Sequence, residues 1–275
     1  MNETERYLFD LNGFIVIPGI LTPAEVDALN VAIDDVGIPQ LLDETDYIHT
    51  GFPEMEGNSD PDAGPVDKHH GLMLDWAPEF RSLVDDARIL PYLETLVGPM
   101  VRLDHSYAIF MRTNAGATSP HHLHNGGTPF DPSQSYLVRD GKIFNGLIVV
   151  SYALSDSMPG DGGFCAIPGS HKSNFAMPPD IAAIVGDTPP VVQVPMRAGD
   201  AVIFSEAVTH GCIPWAAQHD RRALLFKYCP GFMQWEKQSP WADLTRPFWT
   251  EQQRRILTGP YSGGRPGVRA APADA

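Results

Sequence analysis

Apolar positions along the chain change their spacing about a third of the way in. The run Gly13-Phe14-Ile15-Val16-Ile17 is closed by Pro18-Gly19 and predicts a short strand. Thr22-Pro23-Ala24-Glu25 follows: a threonine cap, a proline at the first helical position and a glutamate three residues after the cap, which together form a capping box. Val26, Leu29, Ile33 and Val36 then recur at near-helical spacing. Trp76 to Gly98 predicts a second helical region, broken around Asp85, Asp86 and Arg88 ahead of Ile89-Leu90-Pro91. From residue 101 the pattern becomes one of strands, predicted at 101–112, 146–154, 163–167, 191–196, 200–205 and 222–229, with Pro-Gly, Gly-Asp and Gly-Gly between them. Leu147-Ile148-Val149-Val150 is apolar on successive residues, so that strand is expected to be covered on both faces. Helices first and strands afterwards predict a mainly β fold with packed helices, a β-sandwich or barrel.

The expected organisation is one domain over residues 1–275, with no internal repeat. Residues 40–72 are polar, acidic and rich in Gly and Pro; a loop of this length serves as a lid or is a plain surface excursion. The Gly-, Pro- and Ala-rich stretch 259–275 is expected to be a flexible tail.

Composition narrows the partners. Apolar residues at 43% and charged residues at 19% suit a globular chain with a sizeable core. A net charge of −15 repels nucleic acid and anionic membrane and favours solubility. Cys165, Cys212 and Cys229 are odd in number and match no zinc or redox spacing, in keeping with a reducing, cytoplasmic setting. The polar start Met1-Asn2-Glu3-Thr4-Glu5 is unlike a signal peptide, and no apolar run approaches membrane-spanning length.

Two stretches carry chemistry. The first is His122-Leu123-His124-Asn125-Gly126-Gly127; the second is Thr209-His210-Gly211, with Arg221 eleven residues beyond that histidine. Two histidines and one carboxylate on one side of an iron(II) ion leave positions open for oxygen and a co-substrate. If the first stretch is extended, His124 and residue 126 face one pocket and Asn125 faces away. Residue 126 is a glycine, so the carboxylate position has no side chain. Of the ten histidines, His49, His69, His70 and His219 sit in polar stretches and read as surface residues. His105 reads as structural, His171 as the anchor of the turn Pro168-Gly169-Ser170-His171-Lys172, and His121 and His122 as groups that orient a ligand. Arg221 offers a two-pronged donor to the far carboxylate of an acidic co-substrate, and the adjacent Arg222 then points the opposite way. Tyr107, Phe110, Tyr152 and Trp215 are pocket-wall candidates whose alternative is simple core.

From about residue 8 to residue 232 the chain resembles the phytanoyl-CoA dioxygenase family of iron(II)/2-oxoglutarate oxygenases. The likeness lies in Gly13 to Gly19, Leu21 to Asp34, Ile89 to Pro99, Gly199 to Gly211 and, most specifically, Asp161-Gly162-Gly163-Phe164-Cys165-Ala166-Ile167-Pro168-Gly169-Ser170-His171-Lys172. The resemblance implies a double-stranded β-helix of the jelly-roll, cupin-like kind. It implies iron(II) held by His124 and His210, 2-oxoglutarate anchored by Arg221 with Arg112 as a further contact, and O2 as oxidant. The family's His-x-Asp reads His124-Asn125-Gly126 here. Related halogenases replace that carboxylate with glycine or alanine and bind chloride, so halogenation of an aliphatic carbon is one expectation. Hydroxylation with Asp131 completing the site is another, and a three-histidine site using His122 a third. A barrel that binds a small molecule without catalysis is a fourth.

Overall fold

Side chains along Arg221–Pro230 alternate between two apolar environments, and this alternation sets the architecture. Leu224, Phe226 and Tyr228 join a core shared with helices; Ala223 and Leu225 face a second core enclosed between sheets. The computed structural model describes residues 1–43, 46–50, 73–113, 123–182, 190–236 and 243–268. His69, His70, His121 and His122 lie outside the described residues, as does most of the expected 40–72 lid.

The strands are β1 Phe14–Ile17, β2 Tyr47–His49, β3 Val101–Met111, β4 Tyr136–Arg139, β5 Lys142–Asn145, β6 Ile148–Ala153, β7 Gly163–Ala166, β8 Val192–Gln193, β9 Ala201–Ser205, β10 His210–Ile213 and β11 Arg221–Pro230. Six form one sheet in the order β1-β9-β6-β11-β3-β2, three form a second in the order β10-β7-β8, and β4 with β5 makes a separate hairpin. All the pairings are antiparallel. Phe164, Ala166, Val194 and Met196 from the small sheet side pack against Tyr107, Ile109, Val149, Val202, Phe204 and Leu225 from the large one. The result is a double-stranded β-helix, as the resemblance implied. The outer face of the large sheet is closed by helices, whose Leu29, Ile33, Phe80, Leu93 and Leu96 are buried in the larger core.

Helix Pro23–Asp35 starts at the expected capping box, with Thr22 and Glu25 each bonding the other's backbone. The region from Trp76 to Gly98 holds the short helices Met73–Trp76 and Pro78–Ser82 and then Leu90–Val97, with the break where the charged residues predicted it. Tyr47–His49 is not loop: it extends the large sheet as an edge strand on β3. Residues 259–268 are not a loose tail. Val268 is buried and its N–H bonds Pro99 O at 2.9 Å, while Arg265 donates to the carbonyls of Arg255, Thr258 and Gly259.

The first helix, Glu3–Asn12, was not expected. It ends at Gly13, whose φ of +84° only glycine adopts readily. A Cβ on Gly13 would also stand 2.6 Å from His171 Nδ1. His171 fixes its turn as expected: it packs edge-on to Tyr136 at 4.6 Å, and its Nε2 bonds Asp10 O at 3.1 Å. Its Nδ1 is buried without a partner. Burial, aided by Lys172, lowers its pKa from 6.5 to about 4. The unfolded chain therefore takes up this proton first, so stability is full above 6.5 and is lost as pH falls towards 4. The variant His171→Gln should lose less stability across that window than the parent protein. Denaturant midpoints at several pH values check this; equal slopes for the two proteins would refute it.

Candidate active site

β10 has β7 on one side, and on the other, among the described residues, it meets His124 alone. His124 N–H bonds His210 O at 3.0 Å and His210 N–H bonds His124 O at 3.1 Å. This reciprocal pair sets the two rings side by side, with centroids 4.2 Å apart and planes tilted by 58°. Ser170, in the Pro-Gly-Ser-His turn, braces both segments: its carbonyl accepts from Gly127 N–H at 2.9 Å and its hydroxyl from Thr209 N–H at 2.7 Å. His210 is buried against Phe204, whereas His124 is exposed, so the pair is open on one side. Burial holds the His210 pKa below its ordinary value and keeps the ring neutral. Its Nδ1 lies 2.8 Å from Val208 O and so carries the proton, which leaves a lone pair on Nε2.

The extended course predicted after His124 stops there. Asn125 has φ +62° and Gly126 φ +135°, so strand alternation does not apply. Asn125 does not face away: its Nδ2 donates to Glu206 Oε2 at 3.0 Å. A Cβ on Gly126 would meet Thr209 Oγ1 at 3.0 Å. Asp131 is exposed and caps its own turn, accepting from Ser133 N at 2.8 Å and Ser133 Oγ at 2.7 Å. The geometry gives it no role beside the histidines.

A carboxylate does stand at the pair, from a position that motif and spacing did not single out. Glu206 follows β9 and is 2% exposed. Its Oε1 lies 3.9 Å from His210 Nε2 and 3.0 Å from Lys227 Nζ. Lys227 answers the charge on Oε1 as an ion pair, and among the described residues Oε1 has no further hydrogen-bond partner. Burial works against the charge on Glu206, but Lys227 outweighs it and holds the carboxyl down to about 2. Burial likewise opposes the charge on Lys227, and Glu206 keeps it protonated. Lys227 also lies 5.3 Å from the Tyr107 ring centroid and 5.9 Å from that of Trp235. The sequence marks Glu206 only by its place four residues before His210; the turn between them brings both side chains to one point.

Arg221 enters the barrel as expected, while Arg222 points outwards to Asp34 and Asn30. Arg221 is 4% exposed and has no carboxylate partner among the described residues; its Nη1 contacts Met111 Sδ at 3.6 Å. It packs against Gly163, whose strand partner Ile213 lies three residues along β10 from His210, or about 10 Å of strand. Arg112 is committed elsewhere, gripping Asp220 with two bonds of 2.7 Å and pairing with Asp43. Tyr107 and Trp215 line the inter-sheet core, while Phe110 and Tyr152 face the helices and are core rather than pocket wall. His105 bonds Asp104 at 2.7 Å, His219 bonds Asp156 O at 2.9 Å, and His49 stacks on Tyr107 at 4.3 Å. Cys165, Cys212 and Cys229 are not joined in disulfides, and burial pushes the Cys229 thiol up to about 12.

Imidazole nitrogen with carboxylate oxygen suits ferrous iron. His124 and His210 fit that metal in type and placement, although among the described residues no three such groups already stand closed around one point. The phytanoyl-CoA dioxygenase (PhyH) pattern matches residues 9–223. HygX from Streptomyces hygroscopicus, solved with nickel and 2-oxoglutarate bound, is similar with a TM-score of 0.69 and 24% identity over 86% of this chain and 90% of that one. HygX with nickel, 2-oxoglutarate and hygromycin B gives 0.65 and 25% over the same shares. The epimerase SnoN from nogalamycin biosynthesis, described as non-heme and alpha ketoglutarate dependent, gives 0.59 and 20% over 99% of this chain and 98% of its own. No curated protein matches the chain significantly in sequence.

Restoring an aspartate at residue 126 should not build a ligand. Gly126→Asp forces a side chain onto positive φ and against Thr209, with a cost of about 1–3 kcal/mol. The variant should melt at lower temperature with no gain in iron(II) affinity. Calorimetric titration under anaerobic conditions checks this, and tighter binding would show that residue 126 reaches the metal.

Proposed function

The chain belongs to the phytanoyl-CoA dioxygenase family and is an iron(II)- and 2-oxoglutarate-dependent oxygenase, and we propose that it oxidises an aliphatic C–H bond of a small molecule by adding oxygen rather than halide. The observation that carries this reading is the side-by-side pairing of His124 and His210 on a barrel whose buried Arg221 lacks an acidic partner among the described residues. His124 and His210 would hold the metal, and a neutral His210 with its lone pair on Nε2 is the state that a ligand needs. Arg221 would hold the far carboxylate of 2-oxoglutarate. A buried guanidinium without a counter-ion is costly, and an incoming dicarboxylate relieves that cost. When bound, iron(II) with 2-oxoglutarate supplies oxygen activation, coupled to loss of carbon dioxide.

The residues do the rest by placement. Arg112 clamps Asp220, the neighbour of Arg221, and so positions the start of β11 rather than touching the co-substrate. The open side at His124, near which the aromatic residues Tyr107 and Trp235 flank Lys227, is where a substrate would enter. Halide in the place of a carboxylate is disfavoured by charge. The ionised Glu206 already lies beside His210 and repels a second anion. The turn geometry of Gly126 supports the same view, since that glycine answers a backbone need.

Purified protein should consume 2-oxoglutarate only with iron(II), yielding succinate, and with substrate present its products should gain oxygen even at high chloride. Arg221→Gln should raise the KM for 2-oxoglutarate at least about 30-fold, the effect of removing one partner from a buried charge pair, while iron(II) affinity stays within about threefold. No iron-dependent turnover in the parent protein, or chlorinated products, would overturn the proposal.

A further inference from the structure

We propose that Glu206 is the carboxylate donor of this metal centre, supplied from the turn before His210 instead of from residue 126, and that Lys227 stands in for the cation when no metal is bound. This rests on the reading of His124 and His210 as ligands.

Geometry leads to it. The proton on His210 is fixed at Nδ1 by Val208 O, so Nε2 presents a lone pair. Glu206 Oε1 presents another from 3.9 Å away. Two buried acceptors facing each other repel unless a cation lies between or beside them. Donors about 2.1 Å from one ion are separated by roughly 3.0 Å when at right angles and roughly 4.2 Å when opposite, and the observed spacing falls within that range. The second carboxylate oxygen is not idle: Asn125 donates to it at 3.0 Å, which orients the group in the way that ligating carboxylates are oriented. Asn125 is also the neighbour of His124, so one loop supplies a ligand and steers another.

Lys227 explains why the three groups do not already form a closed triad. Its ammonium, 3.0 Å from Oε1, neutralises the carboxylate and draws it towards β11. A dication at the histidines would compete for the same oxygen. Lys227 would then keep its place over Tyr107 and Trp235, 5.3 and 5.9 Å from their ring centroids. The position of Glu206 also accounts for the glycine at 126: with the carboxylate arriving from β9, residue 126 is released to make the turn.

The test is anaerobic titration with iron(II) alone, followed by calorimetry, on the whole chain. The parent protein should bind one iron. Glu206→Gln keeps the shape and the Asn125 contact but should weaken binding by at least about 100-fold, beyond the loss typical of an outer hydrogen-bonding partner. Lys227→Met should do the reverse, tightening iron(II) binding about tenfold while lowering the melting temperature of the metal-free protein. A Glu206→Gln protein that binds iron as tightly as the parent would sink the proposal. If that variant does not fold, unchanged or weaker binding by Lys227→Met would do so. A parent protein that takes up no iron would instead overturn the histidine assignment itself.

Discussion

Two backbone hydrogen bonds between residues 124 and 210 hold the candidate site together. They are reciprocal, and among the described residues they are an isolated bridge that joins the small sheet to the His124 segment. Because they act on main chain, they fix where both Cβ atoms start. Two imidazoles distant in sequence are therefore set 4.2 Å apart with no metal needed to gather them. Ser170 adds the brace by bonding Gly127 and Thr209 at once. The Pro-Gly-Ser-His turn thus has a mechanical role: it ties the two histidine-bearing segments to each other.

A jelly-roll interior is normally filled with apolar side chains from alternating positions. Here β11 breaks that rule at both ends. Arg221 and Lys227 occupy the same face as Ala223 and Leu225, where a designer would place aliphatic residues. Each charge taken from water carries a penalty, and each is answered differently. Lys227 is met inside the protein by Glu206. Arg221 is met by a sulfur and, under the proposed function, by the co-substrate's carboxylate. Departures from local pattern that the surrounding fold must over-determine are what sites look like in physical terms. Between those two charges the same face of β11 is apolar, with Ala223 and Leu225.

The fold was legible because its signals are local. The capping box at Thr22, the period change near residue 101 and the charged break before Ile89 each act over a few residues, and each is found in the structure. What escaped notice depended on distance. The edge strand Tyr47–His49 is a strand only because β3 offers it an unpaired edge. In the site, His124, His210 and Arg221 could be named from motif and spacing. Asn125 and Gly126 were placed wrongly because the alternation argument assumes extended backbone, and both residues have positive φ. Glu206 was invisible for a related reason: nothing in Glu-Ala-Val-Thr-His says that a turn will bring its ends to one point.

The glycines follow the same logic. Gly162-Gly163 reads in the sequence as punctuation before a strand; Gly163 has φ +83°, and a Cβ there would stand 3.0 Å from both Arg221 Nε and Ser157 Oγ. The missing side chain is the space that the guanidinium occupies. Gly126 works the same way at the other end, where a missing side chain lets the loop turn back so that Asn125 reaches Glu206. Seen as a vacancy in a ligand motif, Gly126 suggests altered metal chemistry. Seen beside Gly163, it is a second glycine that the folded chain itself requires: Gly163 leaves room for the Arg221 side chain, and Gly126 takes a positive φ against the Thr209 hydroxyl. The second view requires fewer assumptions, because it explains both glycines by contacts in the folded chain, and it turns attention from residue 126 to the carboxylate that its turn accommodates.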